Sequence, residues 1–194
     1  MNDDPTPFAS AEGLGFFRVN VADYPVSRPI KRALDTFFEW FGLGLYKTFG
    51  ARAGDYNFRK TRSASDVDCL IIHLLTKGSR VTCWKGSHVK PLPHMEGENN
   101  LWLVPRAALR RIPDIAPMEA TFEEGGFMIR DPGTVVEISK GHAITFAVGR
   151  KEVLRKSWKP MKMPRSKELE DEVALLHDRN VGVNIEYLEE DPHT

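Results

Sequence analysis

The chain has only two cysteines, Cys69 and Cys83, and no CxxC pair among its 194 residues. That excludes a disulfide-stapled scaffold and the common thiolate metal knots. Free buried thiols are expected, with a single Cys69–Cys83 disulfide left open because the two fall on neighbouring predicted strands. Apolar runs long enough for a membrane-spanning helix are lacking. Net charge is lacking as well, since 27 Lys and Arg balance 27 Asp and Glu. Proteins that grip nucleic acid or an anionic membrane surface usually carry a basic excess, so neither partner is expected. The opening stretch MNDDPTPF is acidic and polar, without the apolar centre of a signal peptide. A cytoplasmic location is expected. There is no internal repeat and no low-complexity segment.

What is present is organised around residues 66–88, DVDCLIIHLLTKGSRVTCWKGSH. Residues 66–75 are rich in β-formers and apolar enough for a strand buried on both faces. Thr76-Lys77-Gly78-Ser79 has hairpin-turn chemistry, and residues 80–85 alternate as a half-buried strand does. Before it, residues 15–21 read as a short strand. Ser27 then opens an amphipathic helix whose apolar face is Ile30, Ala33, Leu34, Phe37 and Phe41, ended by Gly42 and Gly44. The aromatic stripe there, with Phe38 and Trp40, is expected to pack on a sheet. Residues 56–63 alternate as a strand. Residues 89–118 form a proline-bearing excursion with one helical turn near 105–111, and long loops of this kind are often functional. Residues 127–130, 134–139 and 143–148 read as three strands with Gly and Pro turns between them. A basic solvated connection over 150–167, a helix opened by Ser166 and a last strand over 181–188 complete the chain.

The predicted fold is therefore mainly β, an antiparallel sandwich or jelly roll with an N-terminal and a C-terminal helix. One domain is expected over 1–194, with a loose tail to 12 and a helical extension over 13–55. The β core then spans 56–150, and the closing helix and strand 151–194.

Two segments carry a family resemblance: Lys85-Gly86-Ser87-His88 closing a strand, and Gly141-His142-Ala143-Ile144-Thr145-Phe146 opening one. Over residues 56–150 the chain resembles the double-stranded β-helix of phytanoyl-CoA dioxygenase-like proteins, a cupin-like superfamily, and in texture a fungal branch of it. The resemblance implies a jelly-roll fold. Members of that family bind Fe(II) through a His-x-Asp/Glu pair and a distal histidine, leaving room for 2-oxoglutarate and O₂. Here the segment that should supply the pair reads FRKTR over 58–62, and Arg150-Lys151-Glu152-Val153 stands where the distal histidine should follow. The resemblance therefore implies the fold without the iron chemistry, and neither metal nor cofactor is expected.

The candidate catalytic residues are His73, Asp68 and His88. His73 is a histidine set among Leu and Ile in mid-strand, where an unsatisfied imidazole costs about 1–3 kcal/mol. Asp68 lies an odd number of residues away, so strict alternation sends it to the opposite face. Arg59 and Trp84 are better placed as companions. The candidate ligand-binding residues are Arg59, Trp84, Arg130 and Phe146. An alternative metal site would join His73, His88 and a carboxylate such as Asp68 or Glu137. His94, His142 and His177 read as surface, and His193 belongs to the tail. The leading expectation is a metal-independent enzyme of isomerase, cyclase or lyase type, acting on a small, largely apolar molecule. The alternatives are a non-catalytic ligand-binding or interaction protein, and an Fe(II)/2-oxoglutarate oxygenase with atypical ligands. A homodimer is left open.

Overall fold

The computed structural model describes residues 8–23, 27–60 and 67–188. Outside the described residues lie the first part of the N-terminal tail, the end of the strand predicted to reach 63, Asp66, and the closing tail with His193. Ser10 opens α1 (Ala11–Phe17) by accepting a hydrogen bond from the Gly13 amide at 3.0 Å. A π-helical turn, Arg18–Ala22, extends it. The strand predicted over 15–21 is thus helical, because the buried Leu14, Phe17 and Val21 recur at helical spacing. Next comes α2 (Arg28–Phe37), with Pro29 in its first turn. It stops short of Phe41. Gly42 and Gly44, expected to end it, lie inside β1 (Phe41–Gly50). Their role is volume: a Cβ at Gly42 would stand 2.3 Å from Leu154 Cδ1, and one at Gly44 2.7 Å from Leu154 Cδ2.

Then follow β2 (Asp55–Asn57), β3 (Cys69–Leu75) and β4 (Ser79–Lys85), the last two joined by a turn in which Gly78 has φ +76°. The proline-bearing excursion holds more than one helical turn. It contains β5 (Met95–Glu96), β6 (Trp102–Val104), α3 (Arg106–Arg111) and the start of β7 (Ala116–Phe122). Pro117 is tolerated in β7 because this strand forms a sheet edge. β8 (Gly126–Arg130), β9 (Val135–Lys140) and β10 (His142–Gly149) follow the predicted pattern closely. The connection after them is not merely solvated: it forms α4 (Lys151–Ser157) and β11 (Met161–Pro164). Ser166 caps α5 (Lys167–His177), accepting from the Leu169 amide at 3.2 Å. The last predicted strand is two, β12 (Val181–Val183) and β13 (Ile185–Leu188). The fold is mainly β, with several sheets and flanking helices.

The chain forms two compact units, residues 48–145 and the flanking residues on either side of them. In the 48–145 unit one sheet has the order β5-β6-β2-β9-β4-β7 and is antiparallel throughout. In the other, β3 lies between β8 and the start of β10, and β3 and β8 are antiparallel. The connections β3 to β4, β7 to β8 and β9 to β10 each pass from one sheet to the other. Leu75, Val81, Val136 and Ala143 make one core cluster from both sheets; Trp84, Val104, Leu109 and Val135 make a second. Burying each large aliphatic or aromatic chain contributes about 1.5–3 kcal/mol.

A buried carboxylate ties this unit's longer sheet to α3. Asp55, 2% exposed, accepts from Trp84 Nε1 at 2.7 Å and from Arg106 Nε and Nη2 at 2.8 and 3.0 Å. Arg106 Nη2 also donates to Glu137 on β9 at 2.6 Å, and Glu137 accepts from the Gly54 amide at 3.1 Å.

In the flanking unit β1 pairs with β12, and β11 with β13, both parallel. These pairs depart from the all-antiparallel expectation. Parallel neighbours need a long crossover, and α5 supplies one between β11 and β13. Arg18 pairs with Glu172 at 2.8 Å and also with Asp23, which takes Arg179 as well.

Asp55→Ala is expected to cost about 3 kcal/mol of stability in urea unfolding, since it strands the buried Trp84 N–H and leaves Arg106 with Glu137 alone. Asp55→Asn, which keeps an acceptor for Trp84, should cost roughly half as much. Equal losses in the two variants would show that the Trp84 bond contributes nothing.

Candidate functional site

The 48–145 unit holds a half-open cavity of about 420 Å³ to which both its sheets contribute. Val136 and Ile138, two apart on β9, present one face of that strand to it. Tyr56 and Phe58 come from β2 and the residue just past it, and Thr48 to Arg52 from the end of β1 and the loop beyond. Phe58 meets Phe49 edge to face, with ring centres 5.9 Å apart. Leu101, Asn99 and Glu98 line it from the segment before β6. Glu98 pairs there with Arg52. Asn99 holds φ +60°, a left-handed conformation that asparagine tolerates better than most residues.

The inner polar groups are His73 and Arg130, 2% and 8% exposed. β3 carries His73 and β8 carries Arg130. Arg130 lies opposite Ile71, two residues from His73, so the two side chains share one face of the sheet. Arg130 Nε donates to His73 Nε2 at 2.9 Å, so that nitrogen holds a lone pair. The imidazole proton then sits on Nδ1, which donates to Thr145 Oγ1 on β10 at 2.8 Å. Burial, and then the charge of Arg130, push the His73 pKa well below its usual 6.5. Arg130 Nη1 donates to the Thr134 carbonyl at 2.6 Å and, more weakly, to that of Asp131 at 3.4 Å. Its guanidinium carbon stands 5.2 Å from the centre of the Phe58 ring. Burial lowers its pKa to about 10, which still leaves it charged at neutral pH. Among the described residues no carboxylate lies within ion-pairing distance of it.

The other candidates lie elsewhere. Asp68 pairs with Arg59 at 2.9 Å, and neither lines the cavity. Trp84 is buried beside Val104 and Leu109 with its N–H on Asp55. Phe146 belongs to the flanking unit, packed edge to face on Phe17 and Tyr46 at 5.1 and 4.8 Å. His88 lines a separate space of about 10 Å³, the size of one water, with Arg59, Lys60, Lys90 and His94. The buried Asn57 reaches this space. Its amide nitrogen donates to the Gly133 carbonyl at 3.0 Å and stands 3.2 Å from His94 Nε2, while its Oδ1 has no partner among the described residues. Reading for iron ligands at the family's positions passes over one His-x-Glu triplet, His94-Met95-Glu96. Glu96 is exposed on β5, and among the described residues no three His, Cys, Asp or Glu side chains are grouped to hold a metal ion. Cys69 and Cys83 are free thiols. Burial pushes Cys69 up to about 12 and raises Cys83 as well. Among the described residues no helix is long and apolar enough to cross a membrane.

No family model, no curated protein and no solved structure matches this chain.

A histidine held neutral by the fold makes stability depend on pH with a definite sign. Its contribution is fully present above the unfolded pKa of 6.5 and is lost as pH falls toward the depressed folded value. Urea unfolding at about pH 8 and about pH 5 should show His73 contributing a loss of up to about 1.4 kcal/mol per pH unit below that point. His94, also lowered by burial, adds in the same direction. His73→Gln should flatten the profile; an unchanged slope would mean that the buried imidazole does not titrate between the two states.

Proposed function

We propose that the 48–145 unit is a jelly-roll binding module whose cavity takes one small, largely apolar molecule. The observation that carries this reading is the cavity itself: about 420 Å³, walled by Phe49, Phe58, Leu101, Val136 and Ile138, with two buried polar side chains inside. Ligand sites of this size commonly join apolar walls to a few convergent polar groups. The jelly-roll reading is supported by strands that pass alternately between two sheets, and by the Gly86-Ser87-His88 and Gly141-His142 segments that resemble the phytanoyl-CoA dioxygenase-like fold.

Binding ranks above catalysis on the chemistry of His73. A metal-independent isomerase, cyclase or lyase needs a group free to give or take a proton at the ligand. Both nitrogens of His73 are engaged, and its basicity is strongly depressed. Asp68 is tied to Arg59 outside the lining.

The test uses the neutral apolar fluorophore N-phenyl-1-naphthylamine and the full-length protein. Saturable binding of one probe per chain is expected, with a blue-shifted emission. Ile138→Trp and Leu101→Trp, each filling space in the cavity, should reduce it at least about ten-fold with the thermal midpoint retained. Absence of saturable binding, or binding indifferent to both substitutions, would overturn the reading.

A further inference from the structure

The side chains that line this cavity carry one positive charge in excess. Its ionisable members are Arg52, Glu98, Tyr56, His73 and Arg130. Arg52 and Glu98 pair and cancel. Tyr56 donates its hydroxyl to the Ala53 carbonyl, and His73 is held neutral by its two hydrogen bonds. That leaves Arg130, almost wholly buried, whose partners are an imidazole, two backbone carbonyls and the face of Phe58. All of them are neutral. The charge of Asp131 acts on Arg130, but no ion pair among the described residues includes it, and a buried cation without a paired carboxylate is costly.

Hydrogen-bond accounting says where it is met. Of the five guanidinium N–H groups, the one on Nε goes to His73 and those on Nη1 face the Thr134 and Asp131 carbonyls. The two on Nη2 have no partner among the described residues, yet Nη2 is not a sealed atom, for Asn57 Oδ1 alone is buried without a partner there. Nη2 is therefore the donor edge left accessible, on a residue that lines the cavity. We propose that Arg130 is the anchor for a carboxylate, and that the ligand of this cavity is a monocarboxylic acid with an apolar or aromatic body. This rests on the pocket reading above and names the class of molecule it takes.

Charge sets the class. One net positive charge neutralises one negative charge, whereas a phosphate dianion would leave an excess negative charge among Phe49, Phe58, Val136 and Ile138. The planar guanidinium suits a planar carboxylate, and a charge-assisted bond is roughly twice as strong as a neutral one. His73 acts as a positioning residue. Locked by Thr145, it accepts from Nε and holds the guanidinium plane, so that Nη2 keeps one direction.

The experiment compares 2-naphthylacetate, 2-naphthylacetamide and 2-naphthaleneethanol on the full-length protein by calorimetry, beside the neutral probe N-phenyl-1-naphthylamine. The wild type is expected to bind the acid at least about ten-fold more tightly than the amide or the alcohol. Arg130→Gln should erase that preference while N-phenyl-1-naphthylamine still binds, and Arg130→Lys should keep part of it. The wild-type comparison stands even if a variant fails to fold. Binding of the neutral probe with no preference for the acid would overturn the carboxylate anchor and leave the pocket standing. An acid preference that survives in a folded Arg130→Gln would remove Arg130 from the role. Failure of every probe would overturn the pocket and the anchor together.

Discussion

The hydrogen bond from Arg130 to His73 is the constraint on which the interior of the 48–145 unit depends. It decides the tautomer of the imidazole, and through it the direction of the bond to Thr145, so three strands are stitched by one proton arrangement. It also keeps both groups in their less common roles. The histidine stays neutral, and the arginine keeps its charge with no ion pair among the described residues. Neither state would be comfortable alone at such burial. Adjacent in one low-dielectric space they are compatible, because a guanidinium suppresses protonation of the base it donates to.

Much of the strand pattern is readable from residues. The pairs around Gly78, Gly133 and Gly141 mark turns, and the alternating or continuous apolar runs between them are strands. Errors cluster where a rule of local chemistry is overridden by packing. Gly42 and Gly44 look like helix stops, yet they sit in a strand because Leu154 and Trp158 occupy the space of their side chains. Pro117 looks like a loop residue, yet an edge strand has a side where no N–H is needed. Residues 15–21 alternate as a strand does, yet the Ser10 cap and the Leu14, Phe17, Val21 stripe make them helical. Residues 181–188 read as one alternating strand, but the chain divides at Asn184, whose amide donates to the Leu43 carbonyl.

The candidate site is legible only in part. His73 stands out in the sequence as a histidine among aliphatics, and Arg130 as a charge at a strand end. That the two meet depends on the register of β3 against β8, which a single sequence does not reveal; a slip of one residue would turn Arg130 to the other face. Arg59 looks in the sequence like a companion of His73, and it pairs instead with Asp68. The aromatic wall of Phe49 and Phe58 gives no local signal, since its two members are ordinary apolar residues until the fold sets them edge to face.

The two thiols have a practical consequence. Cys69 is 1% exposed, and both thiols titrate above their ordinary range, so little thiolate is present at neutral pH in the folded chain. Alkylating reagents and peroxide act through the thiolate, and Cys69 presents neither thiolate nor access while the strands are closed. Cys69 is therefore shielded from oxidation while folded, and the rate at which it takes up an alkylating label is a clock for the opening of β3, the strand that carries His73.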